Sequence, residues 1–174
     1  MKKILVVVDM QKDFVDGALG TEEAKKIVPA VVGKINSFDG EIIVTYDTHS
    51  ENYLNTSEGE KLPVEHCIKG TAGWSIDSEV QSALENKKYC TVEKLTFGSV
   101  ELPAVVGEIT NGEEFSIELV GLCTDICVVS NALILKASYP EVPITVDSCC
   151  CAGVTPETHE AALTTMKMCQ INVI

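Results

Sequence analysis

Residues 120–129, with the sequence VGLCTDICVV, read as the end of a buried strand, a tight turn and the start of a helix. We place the strand at residues 115–122 and the helix directly after the turn. Thr124 and Asp125 are natural N-cap residues, which puts Cys127 in the first helical turn. Unpaired backbone N–H groups and the positive end of the helix dipole lie there, so we expect a lowered pKa and a nucleophilic Cys127.

Further short apolar runs along the chain are suited to strands. They are residues 4–8, 42–46, 89–93, 142–146 and 171–174. Segments with helical caps or helical periodicity separate them, except in residues 48–75, which have no clear period. Strands that alternate with helices predict an α/β fold of three layers, α/β/α, around a six-stranded, mostly parallel, doubly wound sheet. We interpret residues 1–174 as a single domain.

Ligand sites in such sheets lie beyond the carboxyl ends of the strands, near the point where the strand order reverses. Asp9, Asp47 and Lys94 follow the first three predicted strands, and the turn that carries Cys127 follows the fourth. The fold would therefore bring these four residues to one edge of the sheet.

Three of these residues form a set suited to acyl transfer. Cys127 is the candidate nucleophile, Asp9 the proton acceptor and Lys94 the cation that orients Asp9. Backbone N–H groups around Cys123 and Cys127 are the candidate oxyanion donors. The alternative at this point is a buried cysteine, a capping aspartate and a solvated lysine.

A second set of residues is suited to a metal ion. Asp47 and His49 are two positions apart, so in an extended segment they project to the same side, and His66 could fold back to join them. Glu58 is a candidate fourth ligand, and Cys67 is a rival that we disfavour. Mixed histidine and carboxylate ligation indicates one divalent ion, zinc first, with iron or manganese as alternatives. The plainer interpretation is that these are polar surface residues.

The composition narrows the class of protein. A formal net charge of -13 argues against a nucleic-acid partner and against an anionic membrane surface. The first residues do not resemble a signal peptide, and no apolar run is long enough to cross a bilayer, so we expect a cytoplasmic protein. Its eight cysteines are then expected to be reduced thiols, most of them small buried apolar residues.

With these residues assembled, the chain resembles the isochorismatase-like cysteine hydrolases, and within them the nicotinamidase branch. The resemblance covers nearly the whole length. It is carried by VDMQKDF at 8–14, YDTH at 46–49, LPVEHC at 62–67, Glu93–Lys94 with Phe97, and GLCTDICV at 121–128. Each motif alone is weak, but their order and intervals are specific.

The resemblance implies a catalytic triad of Asp9, Lys94 and Cys127. It also implies a cis peptide bond between Leu122 and Cys123, and an oxyanion hole formed by the backbone N–H groups of Cys123 and Cys127.

For the second set of residues, the resemblance implies that Asp47, His49 and His66 are the metal ligands, with Glu58 matching a fourth ligand of some members. In nicotinamidases the metal binds the pyridine nitrogen, and Phe14 would help to wall the ring.

One position departs from the family pattern. Many nicotinamidases have an aromatic residue three positions before the second metal-binding histidine, where this chain has Pro63. Trp74 and Phe97 are the candidates to replace it. The departure weakens the prediction for nicotinamide itself and leaves the amidohydrolase chemistry intact.

The predicted function is therefore a metal-dependent cysteine amidohydrolase that converts nicotinamide to nicotinate and ammonia in NAD salvage, part of pyridine nucleotide metabolism. Its expected partner is a small-molecule amide, and related proteins often form homo-oligomers. One alternative is a related hydrolase that acts on another small amide. Another is a hydrolase that acts on a vinyl ether, and the intact set of three metal ligands argues against this second alternative. A distant alternative is a non-enzymatic binding or thiol-redox protein that uses Cys123 and Cys127.

Overall fold

Six strands form one sheet in which every neighbouring pair is parallel. The computed structural model describes residues 1–174. The strands are β1 (Lys2–Val8), β2 (Glu41–Asp47), β3 (Tyr89–Lys94), β4 (Phe115–Leu122), β5 (Ile144–Ala152) and β6 (Asn172–Val173). Their order in the sheet is β3-β2-β1-β4-β5-β6. The predicted α/β class and doubly wound sheet are confirmed, and the sheet is parallel throughout.

The central strand β1 explains why the chain builds a buried parallel sheet. Leu5 and Val7 belong to the apolar cluster on one face, and Ile4, Val6 and Val8 to the cluster on the other. All five side chains are fully buried. A continuous run of β-branched and leucine residues is what a strand covered on both faces requires.

Helices cover both faces of this sheet. They are α1 (Lys12–Val15), α2 (Glu22–Ser37), α3 (Ser57–Lys61), α4 (Ser78–Leu84), α5 (Leu102–Thr110), α6 (Val129–Ser138) and α7 (Pro156–Met168). Apolar residues of α1, α2 and α4 pack on the face of Leu5, and those of α5, α6 and α7 on the opposite face. The structure therefore has three layers. None of the helices combines the length and apolar character needed to cross a membrane.

Two stretches differ from the sequence prediction. Strand β5 continues six residues beyond the predicted end at Val146, through the cysteine triplet 149–151. The register between β4 and β5 shifts between Leu119 and Gly121, and the later part of β5 pairs Cys151 with Gly121. The stretch 48–75 also contains a 3₁₀ turn at Tyr53–Asn55 and helix α3, whose N-cap Thr56 accepts a hydrogen bond from Gly59 N at 3.1 Å.

The order of the strands reverses between β1 and β4, which places a crevice at the carboxyl ends of these two strands. Gly121 makes their close approach there. It has φ of 119°, and a Cβ at this position would overlap Val8 O of the neighbouring strand. Only glycine fits both the backbone conformation and the space, just before the chain reaches the turn with Cys127.

Candidate active site

Four strand ends bring the predicted residues to one edge of the sheet. Asp9 directly follows β1, Asp47 is the last residue of β2, and Lys94 is the last residue of β3. Cys127 lies in the turn between β4 and α6. All four side chains are buried, so they meet in a site with little access to bulk water.

The ammonium group of Lys94 lies at the centre of the site. Its Nζ is 2.6 Å from Asp9 Oδ2, 3.2 Å from Asp47 Oδ1 and 3.5 Å from Cys127 Sγ. Burial by itself would lower the pKa of Lys94, but the nearby Asp9, Cys127 and Asp47 outweigh it and raise the pKa. The site therefore favours the charged form of Lys94, which contacts both the candidate triad and the candidate metal ligands.

Asp9 is held by one side of its carboxylate. The Thr45 hydroxyl donates to Asp9 Oδ1 at 2.6 Å and accepts from Asp9 N–H at 3.2 Å. The other oxygen, Oδ2, accepts no hydrogen bond of suitable angle, although Lys94 Nζ is close to it. Burial, with a smaller contribution from Asp47, raises the pKa of Asp9 against the opposing effect of Lys94. Oδ2, whose neighbour is Lys94, is the oxygen that we assign as the proton acceptor.

The predicted lowering of the pKa of Cys127 is wrong for the resting site. Burial, with the negative charges of Asp9 and Asp47, raises the pKa of this thiol, and Lys94 opposes the increase. Burial disfavours the charged thiolate more than a helix end favours it. The environment therefore favours the thiol form of Cys127, and its activation requires a base.

The local backbone around Cys127 also differs from the prediction. Thr124–Val128 is a π-helical turn in which Val128 N–H donates to Cys123 O at 3.0 Å, and the α-helix begins only at Val129. Neither predicted N-cap acts as one, because both side chains bond to the region around α7. The Thr124 hydroxyl lies 2.8 Å from Nδ1 of His159, and the Asp125 carboxylate accepts from Val154 N–H at 3.2 Å.

The expected cis peptide bond between Leu122 and Cys123 is present. The backbone N–H of Cys123 donates no hydrogen bond within the protein. It is thus available to an oxygen atom in the adjoining cavity, which both Cys123 and Cys127 line.

Asp47, His49 and His66 form a buried cluster with the chemistry of a metal site. Their candidate ligand atoms all lie within 4.8 Å of one another. Asp47 Oδ2 is 3.0 Å from His49 Nε2 and 3.6 Å from His66 Nε2. A zinc-type ion with bonds of about 2.0–2.2 Å holds its ligand atoms roughly 3.0–3.6 Å apart. The two distances from Asp47 fall in this range, and the two histidine atoms lie within 4.8 Å of each other, so the three residues are compatible with one divalent ion.

Glu58 lies beside this cluster and is the outermost of the four predicted ligands. Its Oε1 is 3.8 Å from His49 Nε2 and 3.6 Å from His66 Nε2, and its side chain is 21% exposed. Cys67, the disfavoured rival, is buried and outside the cluster. Burial raises the pKa of its thiol, which disfavours the thiolate that a metal would need.

Residues outside the predicted set hold the cluster in place. The fully buried Tyr53 packs edge-on against both histidine rings, with centroids 4.7 Å from His49 and 4.9 Å from His66. His66 Nδ1 lies 2.8 Å from Val64 O, which leaves Nε2 to face the cluster. The side chain of Gln11 donates to Asp47 O at 2.9 Å and accepts from Asp47 N–H at 2.8 Å.

The sequence reasoning missed Tyr53 and the role of Gln11. Tyr53 lies in a stretch without periodicity, where nothing marks an aromatic residue as buried. Gln11 belongs to the quoted motif at 8–14, but its two bonds to Asp47 depend on the pairing of β1 with β2.

A cavity of about 270 Å³ opens beside Cys127 and the cluster of Asp47, His49 and His66, and apolar side chains form most of its wall. It is lined by Phe14, Leu19, Thr21, Ala24, Asp47, Glu58, Leu62, His66, Phe97, Leu122, Cys123, Ile126, Cys127, Gly153 and Val154. The predicted Phe14 is among them, and its ring centroid is 5.5 Å from that of His66. Of the two aromatic candidates to replace the missing one at Pro63, Phe97 lines the cavity, whereas Trp74 packs on Tyr46.

The structure is a three-layer α/β protein whose site lies at the switch point of its parallel sheet. The model of the isochorismatase domain matches residues 3–174. The chain belongs to the isochorismatase family.

Individual known proteins that are similar to this chain include another member of the same family. The isochorismatase family protein PncA of Bacillus subtilis (strain 168) is 30% identical over 146 residues, which cover 76% of this chain and 78% of that protein. The crystal structure of a nicotinamidase/pyrazinamidase PncA from Bacillus subtilis is 26% identical, with a TM-score of 0.85 and 99% of both chains covered. The pyrazinamidase of Pyrococcus horikoshii, in complex with zinc, is also 26% identical, with a TM-score of 0.84 over 100% of this chain and 99% of that one.

Proposed function

We propose that the protein is a metal-dependent cysteine amidohydrolase, a nicotinamidase that converts nicotinamide and water to nicotinate and ammonia. The observation that carries the proposal is the position of Lys94, whose ammonium group contacts the candidate nucleophile, the candidate base and a candidate metal ligand together. The function belongs to NAD salvage, with residues 1–174 acting as one hydrolase domain.

The first half of the reaction forms a thioester on Cys127. Asp9 Oδ2 takes the proton of the thiol, and the sulfur attacks the carbonyl carbon of the amide. The charge of Lys94 stabilises the thiolate that burial otherwise disfavours. As the tetrahedral intermediate collapses, the C–N bond breaks and Asp9 returns the proton to the nitrogen, which leaves as ammonia.

The carbonyl oxygen carries the developing negative charge in that step. The backbone N–H of Cys123, which has no acceptor in the protein, and that of Cys127 are the donors that we assign to it. Donors fixed in a buried site stabilise a transient oxyanion because they need no reorientation during the reaction.

The second half releases the acid. Asp9 takes a proton from a water molecule, the hydroxyl oxygen attacks the thioester carbon, and the C–S bond breaks. The proton on Asp9 then returns to the sulfur, which restores the thiol of Cys127. The same carboxylate thus acts as base and acid in both halves.

The substrate ring is recognised in the cavity between Phe14 and the metal cluster. Asp47, His49 and His66 would hold the ion, zinc by the chemistry of the donors, with Glu58 as a further ligand. When bound, the ion supplies a coordination position for the pyridine nitrogen and a Lewis acid for water. Phe14 and Phe97 supply apolar surface for the faces of the ring.

Ammonia release from nicotinamide, compared with release from benzamide, tests this proposal. Benzamide has the same shape but lacks the ring nitrogen, so we expect its kcat/KM to be at least about 100-fold lower, because the bond to the ring nitrogen is lost. No release from either amide contradicts the nicotinamidase proposal. Equal rates contradict the contact with the ring nitrogen and leave the triad chemistry standing.

A second candidate is the hydrolysis of a different small amide. The observation that favours it is Pro63, which replaces the expected aromatic residue and does not line the cavity; the neighbouring Leu62 does. An aliphatic amide hydrolysed with a higher kcat/KM than nicotinamide would support this candidate. Such a result would retain the roles of Asp9, Lys94 and Cys127.

A further inference from the structure

Asn131 is a fully buried polar residue in α6, one helical turn after Cys127. Its Nδ2 donates to Cys127 O at 2.8 Å and to Phe97 O at 3.3 Å. Its Oδ1 accepts from Ser99 N–H at 2.9 Å. Both polar atoms of the side-chain amide therefore have hydrogen-bond partners. These bonds join the turn Thr124–Val128, here called the nucleophile turn, to the loop between β3 and α5.

Apart from Asn131, the side chain of Lys94 holds that loop, because its Nζ donates to Thr96 O at 3.2 Å. Leu95 and Val100 are 77% and 84% exposed, and Phe97 is 45% exposed although it forms part of the cavity wall. Ser99 is the buried member at 4% exposure, and its hydroxyl accepts from Leu102 N–H at 3.2 Å at the start of α5. A loop with so little apolar burial depends on its hydrogen bonds for a fixed position.

Close backbone packing at Gly98 shows how near the loop lies to α6. A Cβ on Gly98 would lie 2.5 Å from Ile134 Cδ1 and 3.2 Å from Ser130 Cβ, both on that helix. This van der Waals contact limits how closely the loop approaches the helix, but it does not fix the orientation of the loop. The hydrogen bonds from the side-chain amide of Asn131 fix that orientation.

We propose that Asn131 is a positioning residue that holds Phe97 against the nucleophile turn and so fixes the outer wall of the substrate cavity. The proposal rests on the proposed amidohydrolase function. Phe97 then supplies the aromatic surface that the chain lacks at Pro63, and the fit of the substrate ring depends on a residue that does not touch it.

The variant Asn131→Ser separates the bond to Cys127 O from the bonds to the loop. A serine hydroxyl in a helix bonds to the carbonyl four residues earlier, which is Cys127 O, but it is too short to reach the loop. We expect KM for nicotinamide to rise about tenfold, equivalent to about 1.4 kcal/mol, because the wall is no longer fixed. We expect kcat to change by less than about threefold, because the nucleophile keeps its own contacts.

Ser130→Ala is the matched control. Ser130 Oγ donates to Ile126 O at 2.6 Å, so alanine removes one bond of the same kind from the same helix and leaves the loop attached. Its KM and kcat should match those of the wild type. If Asn131→Ser does not fold, Asn131→Thr, which can make the same bond to Cys127 O, replaces it.

Two further measurements decide the outcome. In a Phe97→Ala background, Asn131→Ser should have little additional effect on KM, because Phe97 is the residue through which it acts. Amide hydrogen exchange at Ser99 should be faster in Asn131→Ser than in the wild type and in Ser130→Ala.

Additive effects on KM, a loss confined to kcat, or unchanged exchange at Ser99 would each overturn the proposal. If the wild type does not hydrolyse nicotinamide, the proposed function fails, and exchange at Ser99 alone then tests the positioning role.

Discussion

Replacement of Cys127 by alanine is expected to lower kcat for nicotinamide by at least about 10⁴-fold, because it removes the assigned nucleophile, the thiol that Lys94 contacts. The substitution removes a single buried sulfur atom, so the fold should remain and the loss of stability should be about 1 kcal/mol. Ammonia release and thermal unfolding, measured on the same preparation, check both parts of this expectation.

Cys151→Ala is the matched control for that experiment. Cys151 is as deeply buried as Cys127 and belongs to the same apolar cluster, but it lies in β5 outside the cavity. It should lose a similar amount of stability and keep its activity. Appreciable turnover by Cys127→Ala would contradict the assignment of the nucleophile, and an equal loss of activity in both variants would point to damage to the fold.

Replacement of His66 by alanine is the second change with a large expected effect. His66 contributes one of three ligand atoms in a compact cluster, so the variant should lose bound metal and at least about 100-fold of its kcat/KM for nicotinamide. Treatment of the wild type with a chelator should give the same loss, and added zinc should restore the wild type only. Metal content by elemental analysis and ammonia release are the measurements.

His159 provides the control for this variant. It is the remaining histidine of the chain, it lies on α7, and its Nδ1 contacts Thr124 and not the cluster. His159→Ala should keep the full metal content. A His66→Ala protein that retains both metal and activity would contradict the metal site, and chelator-resistant turnover would contradict the need for the ion.

The parallel sheet could be predicted from the sequence, and so could the proximity of the residues at the carboxyl ends of its strands, because both depend on local sequence patterns. A strand buried on both faces is a continuous apolar run, as in residues 4–8, and the parallel topology places the ends of neighbouring strands together. Asp9, Asp47 and Lys94 each follow such a run, so their proximity follows from the topology alone.

The turn at Cys127 could not be predicted because its caps depend on tertiary contacts. Thr124 and Asp125 have the side chains of N-caps, but His159 and the backbone of Val154 bind them instead. Both partners are about 30 residues away along the chain, and no local pattern indicates them. Strand β5 was predicted too short for a similar reason, because its extension depends on pairing with β4 beyond a register shift.

The pKa of Cys127 shows how burial can reverse a local argument. The position of the residue near a helix start favours a thiolate, but burial of the thiol, with the negative charges of Asp9 and Asp47, raises its pKa. The depth of burial is a property of the packed structure. The consequence for the proposed mechanism is that Asp9 must accept the proton as part of the reaction.

The covalent state of the protein during turnover tests the central claim most directly. The wild type is mixed with nicotinamide, quenched with acid in the steady state and analysed by peptide mass spectrometry. The account predicts a nicotinoyl group on the peptide that contains Cys127, and none in Cys127→Ala. A nicotinoyl group on any other residue, or continued ammonia release by Cys127→Ala, would contradict it.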